Sequence, residues 1–135
     1  MNVENAVYPT QAQIAGLMGE KSDKPIVMLN LLKFRDKAYY ADGRASELSG
    51  RDAYMLYGAA MQKVVAREGG RILFTGAVAS LAIGAVDELW DATALVEYPS
   101  AAAFARIATS AEVTEIGVHR AAGLAGQLLI RVSQD

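Results

Sequence analysis

Residues 25–34, Pro-Ile-Val-Met-Leu-Asn-Leu-Leu-Lys-Phe, are apolar at odd and even positions alike. Strand side chains alternate between two faces, so a strand of this kind is buried on both sides. Asn30 and Lys33 are its only polar interruptions. A fold for this chain must therefore cover both faces of one strand.

The remaining elements follow from periodicity and punctuation. Thr10 with Gln13 makes a capping box for a first helix bearing Ile14, Leu17 and Met18, which Gly19 stops. Ser49 caps a second helix, with Tyr54, Tyr57, Met61 and Val64 or Val65 on one face and Gly69-Gly70 at its end. Arg71–Ile83 alternates, with Ile72, Phe74, Gly76 and Val78 on one face. Leu89–Tyr98 alternates again: Trp90, Ala92, Ala94, Val96 and Tyr98 form an apolar set, and Leu89, Asp91, Thr93, Leu95 and Glu97 a mixed one. Two alternating strands joined by a short link predict an antiparallel hairpin. Ser100 and Ser110 each cap a helical piece, and Gly123 and Gly126 break the second. Gln127–Val132 is the last strand, with Leu128, Ile130 and Val132 on one face and Gln127, Leu129 and Arg131 on the other.

Strand, helix, strand, strand, helix, strand is the α+β, ferredoxin-like βαββαβ order, here with an extra N-terminal helix. The reading is one domain over 1–135: a helix and lead-in at 1–24 and a four-stranded antiparallel sheet with its helices at 25–133. Both helices lie on one face of such a sheet. The other is expected to hold Leu73, Leu89, Leu95 and Leu129 among polar residues, and to pair with a second copy in a dimeric α/β barrel.

Composition narrows the function classes. Thirteen Lys and Arg against fifteen Asp and Glu give a net charge of -2, which argues against nucleic acid as a partner. The absence of cysteine removes disulfides, thiolate nucleophiles and Cys-ligated metals, and a single histidine removes any two-imidazole site, so no metal is expected. The first residues, Met-Asn-Val-Glu-Asn, do not read as a signal peptide. The longest uncharged stretch, Ile72–Val86, is too short to span a bilayer. The expectation is a cytoplasmic protein with no membrane partner.

Ile26-Val-Met-Leu-Asn-Leu-Leu-Lys-Phe-Arg35, Ser49-Gly-Arg-Asp-Ala-Tyr54, Gly69-Gly-Arg71, Ala94-Leu-Val-Glu-Tyr-Pro-Ser100 and His119-Arg120 together resemble domain-of-unknown-function family 1330, over roughly residues 25–132. The resemblance implies the dimeric α/β-barrel fold and a homodimer, and no established activity. The wider superfamily includes cofactor-free monooxygenases, haem-degrading oxygenases, lactone isomerases and ligand-binding modules, with small molecules held between the sheet and its helices or loops.

Several residues carry chemistry on this reading. His119, with an unperturbed pKa of about 6.5, is a general acid–base candidate that Glu115 would orient; alternatively it caps its helix C-terminus. Asn30 would steady a substrate oxygen or bond a neighbouring loop. Tyr54, Tyr57 and Trp90 would line a cleft for an apolar or aromatic small molecule, and Arg71 or Arg120 would neutralise developing charge. Arg71, Asp91, Thr93, Glu97 and Arg131 would form a polar lumen, as ion pairs or as a binding site. Asn30, Trp90 and His119 also resemble the cast of the haem-degrading members, although the spacing departs from theirs, and no cofactor is expected. Arg35–Ser49 is either a binding loop or a solvated insertion. Enzyme, ligand-binding module and purely structural dimer all remain open.

Overall fold

The structure is a computed structural model and describes residues 1–133. Its elements are α1 (Gln11–Met18), β1 (Ile26–Phe34), α2 (Gly50–Arg67), β2 (Arg71–Ala77), β3 (Ala92–Tyr98), α3 (Ala101–Ala108), α4 (Ala111–Gly123) and β4 (Leu124–Val132). The four strands form one antiparallel sheet in the order β2-β3-β1-β4. This is the ferredoxin-like arrangement, with β1 inside the sheet as its two-sided apolarity requires.

Local chemistry sets the helix starts. Thr10 and Gln13 form a reciprocal capping box, and the Ser49, Ser100 and Ser110 hydroxyls accept from the amides of Asp52, Ala103 and Val113. Each satisfies an amide that the first helical turn leaves free. The main core lies between the sheet and the helices: Ile26, Met28, Val96 and Tyr98 pack on Met61, Val64 and Val65 of α2 and on Ile107 and Val113. Where α2 meets α4 the backbones touch. A Cβ on Gly50 would lie 2.7 Å from the Gly123 carbonyl oxygen and overlap the Arg35 backbone. Only glycine permits that approach.

The 35–49 loop is largely exposed but anchored at several points. Ala38 N–H donates to Leu48 O and Tyr39 N–H to Ala122 O. Tyr40 is buried with Ala53 and Ala122. Residues ahead of α1 form a strap: Ala6 bridges Gln127 of β4, and the Trp90 indole N–H donates to Asn5 Oδ1 at 2.7 Å.

Three expectations need correction. First, β3 starts at Ala92, so Leu89 and Trp90 precede the strand. Asp91 ends the connection, its N–H donating to Leu32 O. Second, a register shift between Ile72 and Phe74 lifts Leu73 out of phase, placing Phe74 opposite Leu95 and Thr75 opposite Ala94. A bulge inserts one residue and exchanges the faces beyond it. Third, β4 begins at Leu124, directly after α4, and its faces are the reverse of those expected. Gln127, Leu129 and Arg131 stand opposite Leu32, Asn30 and Met28 on the helix side, whereas Leu128, Ile130 and Val132 stand opposite Leu31, Leu29 and Val27 on the open side. The shift between Lys33 and Phe34 sets this register, and a bond between Gln127 and Asn30 accompanies it.

The open face consequently holds Val27, Leu29, Leu31, Phe74, Leu95, Leu128, Ile130 and Val132. Of the four leucines expected there, only Leu95 is a regular member. Arg131 leaves the proposed lumen and pairs with Glu20 at 2.8 Å.

Candidate functional site

An open cleft of about 1870 Å³ lies between the helix-side sheet face and all four helices. Its walls include Met28, Asn30, Ile72 and Ala94 of the sheet, Tyr54 and Tyr57 of α2, and Arg120 of α4. Ile14 and Leu17 of α1 also line it. Ligand sites usually occupy roughly 300–1,000 Å³, so there is room for a sizeable molecule. A smaller polar depression of about 410 Å³ sits beside Lys33, Arg35, Glu88 and Asp91. There Lys33 is bridged to both Glu88 and Asp91 at 3.3 Å, which leaves its charge neutralised within the protein.

Within the large cleft, three side chains form a hydrogen-bonded chain. Arg120 Nη2 donates to Gln127 Oε1 at 2.6 Å, Gln127 Nε2 donates to Asn30 Oδ1 at 2.7 Å, and Asn30 Nδ2 donates to Ala94 O at 3.3 Å. The network fixes both amide orientations. It also occupies the Asn30 amide, so Asn30 positions Gln127 and through it Arg120.

Tyr54, Tyr57 and Tyr98 supply the phenols. Tyr54 and Tyr57 are a helical turn apart with ring centres 5.5 Å apart, and Tyr98 packs edge-on against Phe104 at 4.8 Å. Tyr98 is 5% exposed. None of the three hydroxyls has a hydrogen-bond partner among the described residues, whereas that of Tyr40 does. None is sealed in apolar packing either, because no fully enclosed side-chain polar atom lacks a partner. Their hydroxyls therefore open into the cleft. Burial pushes the Tyr54 phenol well above its ordinary range, Tyr57 adds to the shift and Arg120 opposes it. Burial likewise raises Tyr57, against Arg120, and raises Tyr98 with help from Tyr57 and Tyr54. All three are neutral donors at physiological pH.

Asn30, Tyr54, Tyr57 and Arg120 are thus brought together as expected. The other four sequence-predicted residues are elsewhere. His119 is not part of the cleft wall; its Nδ1 is 2.7 Å from the Tyr40 hydroxyl, and that contact ties α4 to the 35–49 loop. No ion pair joins it to Glu115 among the described residues. Arg71 and Glu97 pair at 3.0 Å on the open face, behind the sheet from the cleft. Trp90 holds the strap through Asn5. Asn30, Trp90 and His119 therefore do not converge on one site. Sequence reasoning missed Tyr98 and Gln127. Tyr98 shared the phase of Ala94 and Val96 and read as core; Gln127 was placed on the wrong face.

Among the described residues no three His, Cys, Asp or Glu side chains gather into a metal-holding group, and no helix is long and apolar enough to cross a membrane.

Comparison with known proteins gives a family without an assigned activity. The profile described as Domain of unknown function (DUF1330) matches residues 37–132. The crystal structure of methylated RPA0582 is similar, with 35% identity and a TM-score of 0.87, covering 96% of this chain and 95% of that one. A second structure, of the RPA0582 protein of unknown function from Rhodopseudomonas palustris, has 34% identity and a TM-score of 0.85, covering 96% of each chain. A dimeric protein of unknown function with a ferredoxin-like fold from Bacteroides fragilis is 13% identical, with a TM-score of 0.48 over 82% of this chain and 96% of that one. No functionally curated protein matches. The chain belongs to the DUF1330 family.

Proposed function

We propose that this DUF1330 member is a small-molecule-binding protein that acts as a homodimer and holds an apolar or aromatic ligand in the tyrosine-lined cleft. The carrying observation is the group of three phenol hydroxyls, from buried Tyr98 and half-buried Tyr54 and Tyr57, that have no protein partner among the described residues and open into a largely apolar space. Hydroxyls that no protein group engages are free to donate to a ligand, whose acceptors can take the place of water there. Apolar walls with a few convergent polar groups are the usual composition of a binding site.

Binding is favoured over proton transfer by His119, because His119 does not face the cleft. The second copy is argued from the open sheet face. Phe74 is 56% exposed and Ile130 and Val132 41% each, in one continuous apolar surface. A monomer rarely leaves such a patch in water. Two of these faces packed about a two-fold axis bury it on both copies and provide the second cover that β1 requires.

Native mass spectrometry of gently purified protein tests both parts. The expected result is a dimer, with ligand mass retained or with stabilisation by compounds from an aromatic and aliphatic library. A monomer at micromolar concentration overturns the dimer. A library in which no compound raises the melting temperature overturns the binding reading.

A further inference from the structure

Arg120 is half-buried, lines the cleft, and makes a single side-chain hydrogen bond, to the neutral Gln127. No carboxylate pairs with it among the described residues. A guanidinium carries five N–H donors in a fixed fork, so most of its capacity is unused. A desolvated cation without a counter-ion is costly, yet the Asn30–Gln127 chain holds this one in place.

The surrounding carboxylates, Glu4 and Asp42, do not supply the missing anion: both line the cleft, and neither forms an ion pair with Arg120. Asp42, on the cleft rim, is held by Arg44 at 2.6 Å, and Arg131 is already bound to Glu20. Arg35 and Arg51, also on the walls, have no carboxylate partner and lie over the Tyr39 and Phe34 rings at 5.8 and 5.9 Å. The cleft is therefore locally cationic in a chain whose net charge is -2.

From this we infer that the ligand is an amphipathic monoanion: an aromatic or aliphatic carboxylic acid whose carboxylate docks on the free edge of Arg120 and whose body lies among Tyr54, Tyr57 and Tyr98. The inference rests on the binding reading above and adds the ligand's chemical class. Arginine suits this role because its planar fork matches a carboxylate bidentately. The neutral phenols donate to the same oxygens or to a hydroxyl or carbonyl further along the body. Of the unpaired cations on the walls, Arg120 is the one beside Tyr54 and Tyr57, so it carries the charge recognition, and Gln127 is a positioning residue.

Matched acid and amide pairs separate charge from shape: phenylacetate against phenylacetamide, 3-phenylpropanoate against its amide, and octanoate against octanamide. Isothermal titration calorimetry on the intact wild-type protein should show each bound acid at least about tenfold tighter than its amide, the size expected for one charge-assisted hydrogen bond. In Arg120→Gln the acid-to-amide affinity ratio should collapse to within about twofold, with an unchanged circular-dichroism spectrum showing that the fold is intact. Arg120→Lys keeps the charge without the fork and should retain a reduced preference; it serves as the test if the glutamine variant fails to fold. Amides binding as well as acids, or an acid preference that survives Arg120→Gln, overturns this inference and leaves the binding reading standing. Binding of neither class, by these pairs or by the broader library, overturns both.

Discussion

Four helical glycines give a test with opposite signs. Gly58 in α2 and Gly117 in α4 have nothing within 4 Å of the position a Cβ would take. Replacing either by alanine removes the backbone-entropy penalty of a mid-helix glycine, worth about 0.8–1 kcal/mol. Gly50 and Gly123 sit where the two helices touch. The Gly50 Cβ would meet the Gly123 carbonyl oxygen and the Arg35 amide nitrogen, each at 2.7 Å, and the Gly123 Cβ would meet the Tyr54 nitrogen at 2.8 Å. Ordinary contact needs several tenths of an ångström more, and these neighbours are backbone, so the helices must separate. Overpacking of this kind costs about 1–3 kcal/mol. Strain in the 2.8 Å bond from Arg35 N–H to Gly123 O adds to it, by about 1 kcal/mol if the bond is lost. Gly50→Ala should therefore destabilise by about 2–4 kcal/mol and Gly58→Ala should stabilise by up to about 1 kcal/mol. Urea denaturation followed by circular dichroism reads the difference: with a slope near 2 kcal/mol/M, the midpoints move about 1–2 M down and about 0.5 M up. Midpoints that move in the same direction for Gly50→Ala and Gly58→Ala would refute the close-approach account. Because α2 carries Tyr54 and Tyr57 and α4 carries Arg120, Gly50→Ala should also weaken ligand binding.

Three further outcomes follow from single features. Ile130→Asp places a charge on the open face, beside Leu29, and should leave the protein monomeric in light scattering; a stable dimer would show that copies do not meet there. Raised phenol pKa values mean that the unfolded chain loses its tyrosine protons first, so stability should be intact below the ordinary value of 10.0 and fall above it, by about 1.4 kcal/mol per pH unit for each of Tyr54 and Tyr98. Tyr98→Phe should reduce that slope in denaturation curves taken across the alkaline range, and an unchanged slope would exclude Tyr98 as a source. Gly126→Ala pushes a methyl against Asn5, 2.5 Å from its Cβ; it should free the strap and shift the emission of Trp90, the chain's one tryptophan, to longer wavelength. Unchanged emission would show that the strap accommodates the methyl.

Much of the scaffold was legible because its signals are local. Ser49, Ser100 and Ser110 cap helices at the positions their spacing gave, and the element order alone gave the ferredoxin-like sheet. The strand faces were less legible because alternation carries no sign. Leu128, Ile130 and Val132 were assigned to the helices on the premise that the apolar side meets the covering layer. In the fold they meet the open side, and Gln127 turns toward Asn30. The two register shifts, at Leu73 and after Lys33, exchange faces by one residue each; no glycine or proline marks the first, and Gly126, which pairs with Lys33 at the second, read only as a helix breaker. The site divided for another reason: lumen and cleft lie on opposite sides of the sheet. Asn30, Tyr54, Tyr57 and Arg120 converge, because three lie on helix faces and the fourth on the best-defined strand. Arg71 and Glu97 stand on the open face where the lumen reading put them, behind the sheet from the cleft, and their mutual pairing was one of the two readings open for them.

The glycines in α2 and α4 bear on function as well as stability. Gly58 and Gly117 both line the cleft, and each forgoes the stability an alanine would give. No crowding requires them, since nothing stands near either missing Cβ. Stability left unrealised beside a site is expected where function needs the room, and a methyl on either helix would take room from the space faced by Tyr54, Tyr57 and Arg120. Alanine at these positions should therefore separate two quantities that usually move together: the protein becomes more stable and its affinity for the bulkier acids falls, while the smallest acids bind as before. A purely structural dimer has no reason to show the second effect. That pairing of gain and loss distinguishes a cleft that holds a ligand from a gap left between helices.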